Sequence, residues 1–183
     1  MPSWPTHAIV AVALGQAAPS ESRSDWRFWT AAIACSVLPD FDVIGFGFRI
    51  HYGDLWGHRG MTHSLLFALA LGITAGVVLN GRRAKVLWNS LLVLGITASH
   101  GILDAMTNGG LGIAFFSPFE TTRYFFSWRP IQVSPIGLGW FFSDRGVSVL
   151  LNEALYVWVP ATIVGLLLYS WRKWQSRRQS AER

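Results

Sequence analysis

His58-Arg59-Gly60-Met61-Thr62-His63-Ser64 leads directly into Leu65-Leu66-Phe67-Ala68-Leu69-Ala70-Leu71-Gly72-Ile73-Thr74-Ala75-Gly76-Val77-Val78-Leu79, a run without a single charge. The run predicts a helix starting at His63 or Ser64 and ending at about Leu79, where Asn80-Gly81 favours termination. Two imidazoles and a guanidinium at the mouth of an apolar helix are expensive near lipid, so they call for a function. Two more polar clusters, Leu38-Pro39-Asp40-Phe41-Asp42 and Ser99-His100-Gly101-Ile102-Leu103-Asp104, also stand at or near the end of an apolar segment. The three clusters hold most of the chain's metal-ligand chemistry, and the fold is expected to gather them into one site.

Composition places that fold in a membrane. Of 183 residues, 51% are hydrophobic and only 14% charged, and the mean hydropathy of +0.35 is too high for an ordinary soluble domain. The net charge of +5 resides in short clusters between apolar runs: Arg23 and Arg27, then Arg82, Arg83 and Lys85, then Arg172 to Arg178. Such clusters have the pattern of cytoplasmic loops, and nucleic-acid binding is not expected. Cys35, the single cysteine, lies in an apolar run and reads as a packed thiol with no intrachain disulfide. The first Lys or Arg is Arg23, so the amino terminus lacks the basic region of a signal peptide and the first apolar segment is expected to be retained.

The expected fold is all-α: a polytopic membrane bundle of about five helices forming a single domain over residues 1–171. The first two, Pro5 to Ala18 and Trp26 to Leu38, are short against the roughly 20 apolar residues of a span. Pro39 should end the second and leave Asp40 and Asp42 extended, and Val43 to Gly57 reads as an interfacial loop. The fourth helix runs from about Val86 to Met106. Residues 107–149, rich in Gly, Pro and aromatics (Phe115, Phe116, Phe125, Phe126, Trp128, Trp140, Phe141, Phe142), predict an extracytoplasmic flap resting on the headgroups. The last helix, about Val147 to Trp171, contains Pro160, which should kink it, and a basic cytoplasmic tail, 172–183, follows.

Placing the Arg82–Lys85 turn and the basic tail in the cytoplasm fixes the direction of every helix. His7, Asp40, Asp42, His58, His63, His100, Asp104 and Glu153 then all fall on the outer side. His100 and Asp104, four apart, share a helical face, as a metal pair or a hydrogen-bonded pair. His58 and His63, five apart, cannot share one, so at least one precedes the helix. His7 is open between ligand and interfacial residue, and His51 reads as a surface residue. Arg59 suits a phosphate or a carboxylate such as Asp40 or Asp54. Glu153 is open between ligand, general base and partner of Arg145 or Arg59. Nitrogen and carboxylate donors without thiolates suit Zn²⁺, with Mn²⁺ or Fe²⁺ possible.

The succession LPDxD, HRGxTHS and SHxxxD resembles that of small bacterial inner-membrane proteins described as membrane-bound metal-dependent hydrolases, over about residues 5–110. A more distant likeness is to the all-helical zinc phospholipase C and P1-type nuclease superfamily. That likeness implies His7, Asp40, His58 or His63, and His100 with Asp104 as ligands. The second pair of that superfamily is missing, because Val149 precedes Glu153 by four, so one or two ions are expected. The resemblance implies a hydrolase, and placement at the outer membrane face beneath an aromatic flap makes a phospholipid or lipid-linked phosphate the expected substrate, its phosphoester attacked by metal-activated water. The metal set is then His7, Asp40, His58, His63, His100 and Asp104. Arg59 would meet a phosphate oxygen, and Asp42 or Glu153 would handle the proton. The alternatives are a non-catalytic metal-binding membrane protein for transport or sensing, and a structural partner of a membrane complex.

Overall fold

The computed structural model describes residues 1–80, 85–134 and 142–181. Gly81, Arg82 and Arg83 of the expected turn, Trp140 and Phe141 of the flap, and the last two residues of the tail lie outside the described residues. Seven α-helices are described: α1 (Trp4–Gly15), α2 (Ser20–Arg23), α3 (Trp26–Val37), α4 (Leu65–Asn80), α5 (Lys85–Ala105), α6 (Asp144–Glu153) and α7 (Val159–Ala181). The all-helical class is as expected, and among the described residues no strand forms beyond two isolated bridges.

Among the described residues, three segments have the length and composition to cross a membrane: Trp26–Phe48, Lys85–Ala105 and Asp144–Arg178. α1 and α4 are shorter apolar helices. At 1.5 Å per residue the 16 residues of α4 span about 24 Å, less than the roughly 30 Å of hydrocarbon.

The second span corrects the sequence reading. The chain does not stop at Pro39 or become extended, because Leu38–Phe48 continues α3 as a 3-10 helix with Pro39 in its first turn. Proline has no N–H to donate, which costs nothing at a helix start. The consequence falls on the two aspartates. Residues two apart share a face of an extended strand, whereas three residues per turn points them about 120° apart. Asp40 and Asp42 therefore approach His63 from opposite ring nitrogens, and Asp42 also reaches His58.

α5 is the central helix, packed against α1, α3 and α4. Its contact with α4 depends on Gly72 and Gly76, a small-xxx-small pair. A Cβ on Gly72 would come within 2.6 Å of the Ser90 carbonyl oxygen and 2.8 Å of the Leu94 Cβ. Ala11, Ala18, Phe28, Ala32 and Ile96 form the buried core between α1, α3 and α5.

α1 and α7 run parallel. Trp158 bonds Thr6, Gly165 lies against Ala13 and Arg172 reaches the Ala17 carbonyl, so both chains advance together. The last helix begins at Asp144, with Ser143 as its N-cap, and extends to Ala181, well into the expected tail. Just before Pro160 it widens into a π-turn over Ala154–Trp158, a local irregularity of the type that accommodates a proline.

Residues 107–131 are tied down rather than draped. Ile113 and Tyr124 exchange both backbone bonds at 2.9 Å, the Phe126 amide donates to Ala105, and the Phe115 carbonyl caps the Leu65 amide that opens α4. Ile113 and Ile131 are buried, while Phe119, Phe142 and Trp128 point outward.

Candidate metal centre

The polar clusters meet at one end of the bundle: the start of α1, the 3-10 extension of α3, the approach to α4 and the end of α5. At the opposite end Asn89 bonds Ser22 and Asn80, and Lys85 pairs with Glu21 at 3.0 Å. Asp40, His63, His100 and Asp104, all buried, each aim one ligand atom so that the set lies within 4.8 Å of one another.

Each imidazole is turned by a bond on its far nitrogen. His100 Nδ1 is 2.7 Å from the Ser36 carbonyl, which can only accept, so Nδ1 carries the hydrogen and Nε2 turns inward as a lone pair. His63 Nδ1 is 3.2 Å from Asp42 Oδ2 and 3.1 Å from the Thr62 hydroxyl, again leaving Nε2 inward. The two Nε2 atoms stand 3.0 Å apart. His63 Nε2 is 3.3 Å from Asp104 Oδ2 and 3.6 Å from Asp40 Oδ1, and His100 Nε2 is 3.3 Å from Asp40 Oδ1.

Burial opposes a charge on His63, but the carboxylates of Asp104, Asp40 and Asp42 outweigh it and hold the imidazole well above its ordinary value. A proton between the two Nε2 atoms relieves that pair alone. Both oxygens of Asp40, both of Asp104 and both nitrogens of His7 remain buried without a hydrogen bond. Unpaired buried acceptors cost about 1–3 kcal/mol each and more when charged. A cation among them would meet the carboxylates and the inward imidazole nitrogens together, so the donor set fits a divalent ion with nitrogen and oxygen preference.

His7 belongs to this group by position. Its ring stacks on His100 with centroids 3.7 Å apart, and its Nε2 is 3.9 Å from Asp40 Oδ2.

The other expected site residues sit one layer out. His58, expected as a ligand of the same cluster, instead places Nδ1 2.7 Å from Asp42 Oδ1; with Asp42 and His63 it makes a second acidic-imidazole group. Asp42 Oδ2 also accepts from the Arg59 amide at 3.1 Å and the Thr62 hydroxyl at 2.7 Å. Asp42 is thus the carboxylate behind both histidines.

Arg59, read as a phosphate partner, has its guanidinium engaged inside the protein. Nη1 donates to the Gly109 carbonyl at 2.8 Å, Nη2 to Thr107 Oγ1 at 2.9 Å, and Nε lies 3.3 Å from Asp104 Oδ2. Its backbone is left-handed, φ 66°, which turns the side chain inward at a cost of order 1–3 kcal/mol. Glu153 pairs with neither Arg145 nor Arg59 among the described contacts. It accepts from the Ser3 amide at 2.6 Å, from the Ser3 hydroxyl and from the Thr6 hydroxyl at 2.6 Å. His51 is on the surface beside Asp54.

Residues 1–178 match the family described as YdjM inner membrane protein. The chain belongs to that family. It is similar to the inner membrane protein YbcI of Escherichia coli (strain K12), with 35% identity over 176 residues, 94% of this chain and 99% of that protein. No solved structure matches. A YdjM-family chain with three membrane-length helices is a membrane protein, as the composition predicts. Both descriptions give a location and name no reaction.

Ser3, Ser36 and Thr107 escaped the sequence reading, and Thr62, a candidate helix cap there, bonds Asp42 instead. A hydroxyl or carbonyl that orients a ligand carries no spacing signature, although Thr62 lies inside a motif already singled out.

Proposed function

We propose that this YdjM-family chain is a membrane-bound metal-dependent hydrolase acting on the phosphoester of a phospholipid or lipid-linked phosphate at the outer face of the inner membrane. The observation that carries the reading is the convergence of His63 and His100 Nε2 with the carboxylates of Asp40 and Asp104, which lack hydrogen bonds, in one buried cluster. Asp40, His63, His100 and Asp104 would hold the ion, with His7 beside them. Zn²⁺ suits the donors best, with Mn²⁺ or Fe²⁺ next. A divalent ion supplies Lewis acidity toward a phosphoester oxygen and makes water a better nucleophile at neutral pH.

The protein's own groups then have distinct tasks. Asp42 orients His63, as carboxylates behind ligating imidazoles do. It also holds His58 in the manner of a carboxylate-imidazole dyad, which makes His58 the proton carrier. Arg59 fixes Asp104 rather than waiting for a phosphate. The basic residues Lys85 and Arg172 lie at the opposite end of the bundle, which supports an outward-facing centre by the positive-inside rule. Exposed Phe119, Phe142, Trp128, Trp56 and Phe48 surround the centre's end of the bundle with rings suited to headgroups.

The test is purification in detergent, elemental analysis, chelation and assay on phospholipids and lipid-linked phosphates. Activity should vanish on stripping and return with Zn²⁺ or Mn²⁺. Hydrolysis indifferent to the chelator would refute the scheme. The burial of all four central residues favours a second reading, a closed site that stores or senses metal, because catalytic sites keep a position open. Stoichiometric metal without turnover on any lipid phosphate would select it.

A further inference from the structure

We infer that Glu153 is a positioning residue of the metal centre: it clamps the first turn of α1 so that His7 is presented to the ion. The inference rests on the metal-binding part of the proposed function. Glu153 is 0% exposed, and its described bonds come from Ser3 and Thr6, some 150 positions away in the chain. Thr6 Oγ1 in turn accepts from Trp158 Nε1 at 2.6 Å. Its hydroxyl is thus held from both sides, and His7 is the next residue.

The backbone of the last span is shaped for this grip. Glu153 and Trp158, five apart, both act on Thr6. At 100° per residue an α-helix would point them about 140° from each other. The π-turn over Ala154–Trp158 bonds i to i+5 and holds more residues per turn, which brings the fifth residue nearer the same face. The carboxylate also lies at the amino end of α1, with Ser3 as N-cap, where the helix dipole favours negative charge. His7 needs such external support, because its ring has no hydrogen bond on either nitrogen. The stack on His100 requires the first turn to stay where Glu153 holds it.

The experiment measures Zn²⁺ affinity of the full-length protein in detergent by competition with a chromophoric chelator. It compares wild type, Glu153→Gln, His7→Ala and the double variant. Glu153→Gln should weaken Zn²⁺ about tenfold, within the 10–100-fold typical of outer-shell changes. It should have no further effect once His7 is alanine, the non-additivity of two residues acting through one contact. The Co²⁺-loaded Glu153→Gln spectrum should shift in the direction that His7→Ala shifts it. If Glu153→Gln does not fold, Trp158→Phe removes only the outer bond and should weaken Zn²⁺ two- to threefold. Unchanged affinity, or an equal loss in the His7→Ala background, overturns the inference while the metal reading stands. A wild type that takes up no Zn²⁺ removes both.

Discussion

The imidazoles of His7 and His100 lie face to face, planes 17° apart, and so join the first helix to the central one through two aromatic rings. One ring is anchored: His100 donates to the Ser36 carbonyl, at the end of α3. Loss of that ring therefore removes a ligand and the surface on which His7 rests. His100→Ala should abolish stoichiometric Zn²⁺, measured by elemental analysis of purified protein. Full occupancy in this variant would disprove a centre built on His100.

Asp42 bonds His58 and His63 without entering the group of four. Asp42→Asn keeps the size and loses the charge, so the bundle should form. Zn²⁺ affinity should fall about 10–100-fold. Chelator competition gives the affinity, and helical content from circular dichroism checks the fold.

Arg59 is fully buried against Asp104. Arg59→Ala leaves Asp104 without its guanidinium, and breaking a buried pair from one side costs about 3–5 kcal/mol. Thermal unfolding in detergent should show a large drop, and Arg59→Lys should not restore the fork of bonds to Gly109 and Thr107. A stability equal to wild type would mean the pair carries no weight.

Gly110 makes room for that guanidinium. Its φ is +89°, and a Cβ there would stand 2.5 Å from Arg59 Nη1 and 2.8 Å from the Tyr52 hydroxyl. Gly110→Ala suffers twice, from backbone strain of order 1–3 kcal/mol and from displacement of Arg59. Reduced unfolding temperature together with weaker Zn²⁺ binding is the expected pair of results.

Gly72 tests the α4–α5 contact at a distance from the ligands. Gly72→Val should separate the helices and cost about 1–3 kcal/mol through overpacking. The unfolding temperature should fall, whereas a variant as stable as wild type would show that the close approach is dispensable.

The sequence was most informative where the chemistry is local. The apolar runs after His63 and before His100 located α4 and α5 to within two residues, because uncharged length is a direct consequence of the bilayer. The i, i+4 spacing of His100 and Asp104 placed both on one face for the same geometric reason. What stayed hidden depends on partners far along the chain. Nothing near Pro39 distinguishes a 3-10 continuation from a stop, so Asp42 was grouped with Asp40 when it faces another way. The sequence offers Arg59 a phosphate, Asp40 or Asp54, and Glu153 a metal or an arginine, whereas their bonds to Thr107, Gly109, Ser3 and Thr6 exist only after folding. Gly72 and Gly76 did carry a signal, the spacing of four, which went unread.

The parallel pairing of α1 with α7 has a consequence for biosynthesis. Parallel neighbours cannot be closed by a hairpin, so α1 must await its mate until some 150 further residues have been made. A nascent chain truncated before Glu153 would carry all four central ligands yet leave the first histidine unseated. Loading of the ion should accordingly be a late event in the maturation of this protein.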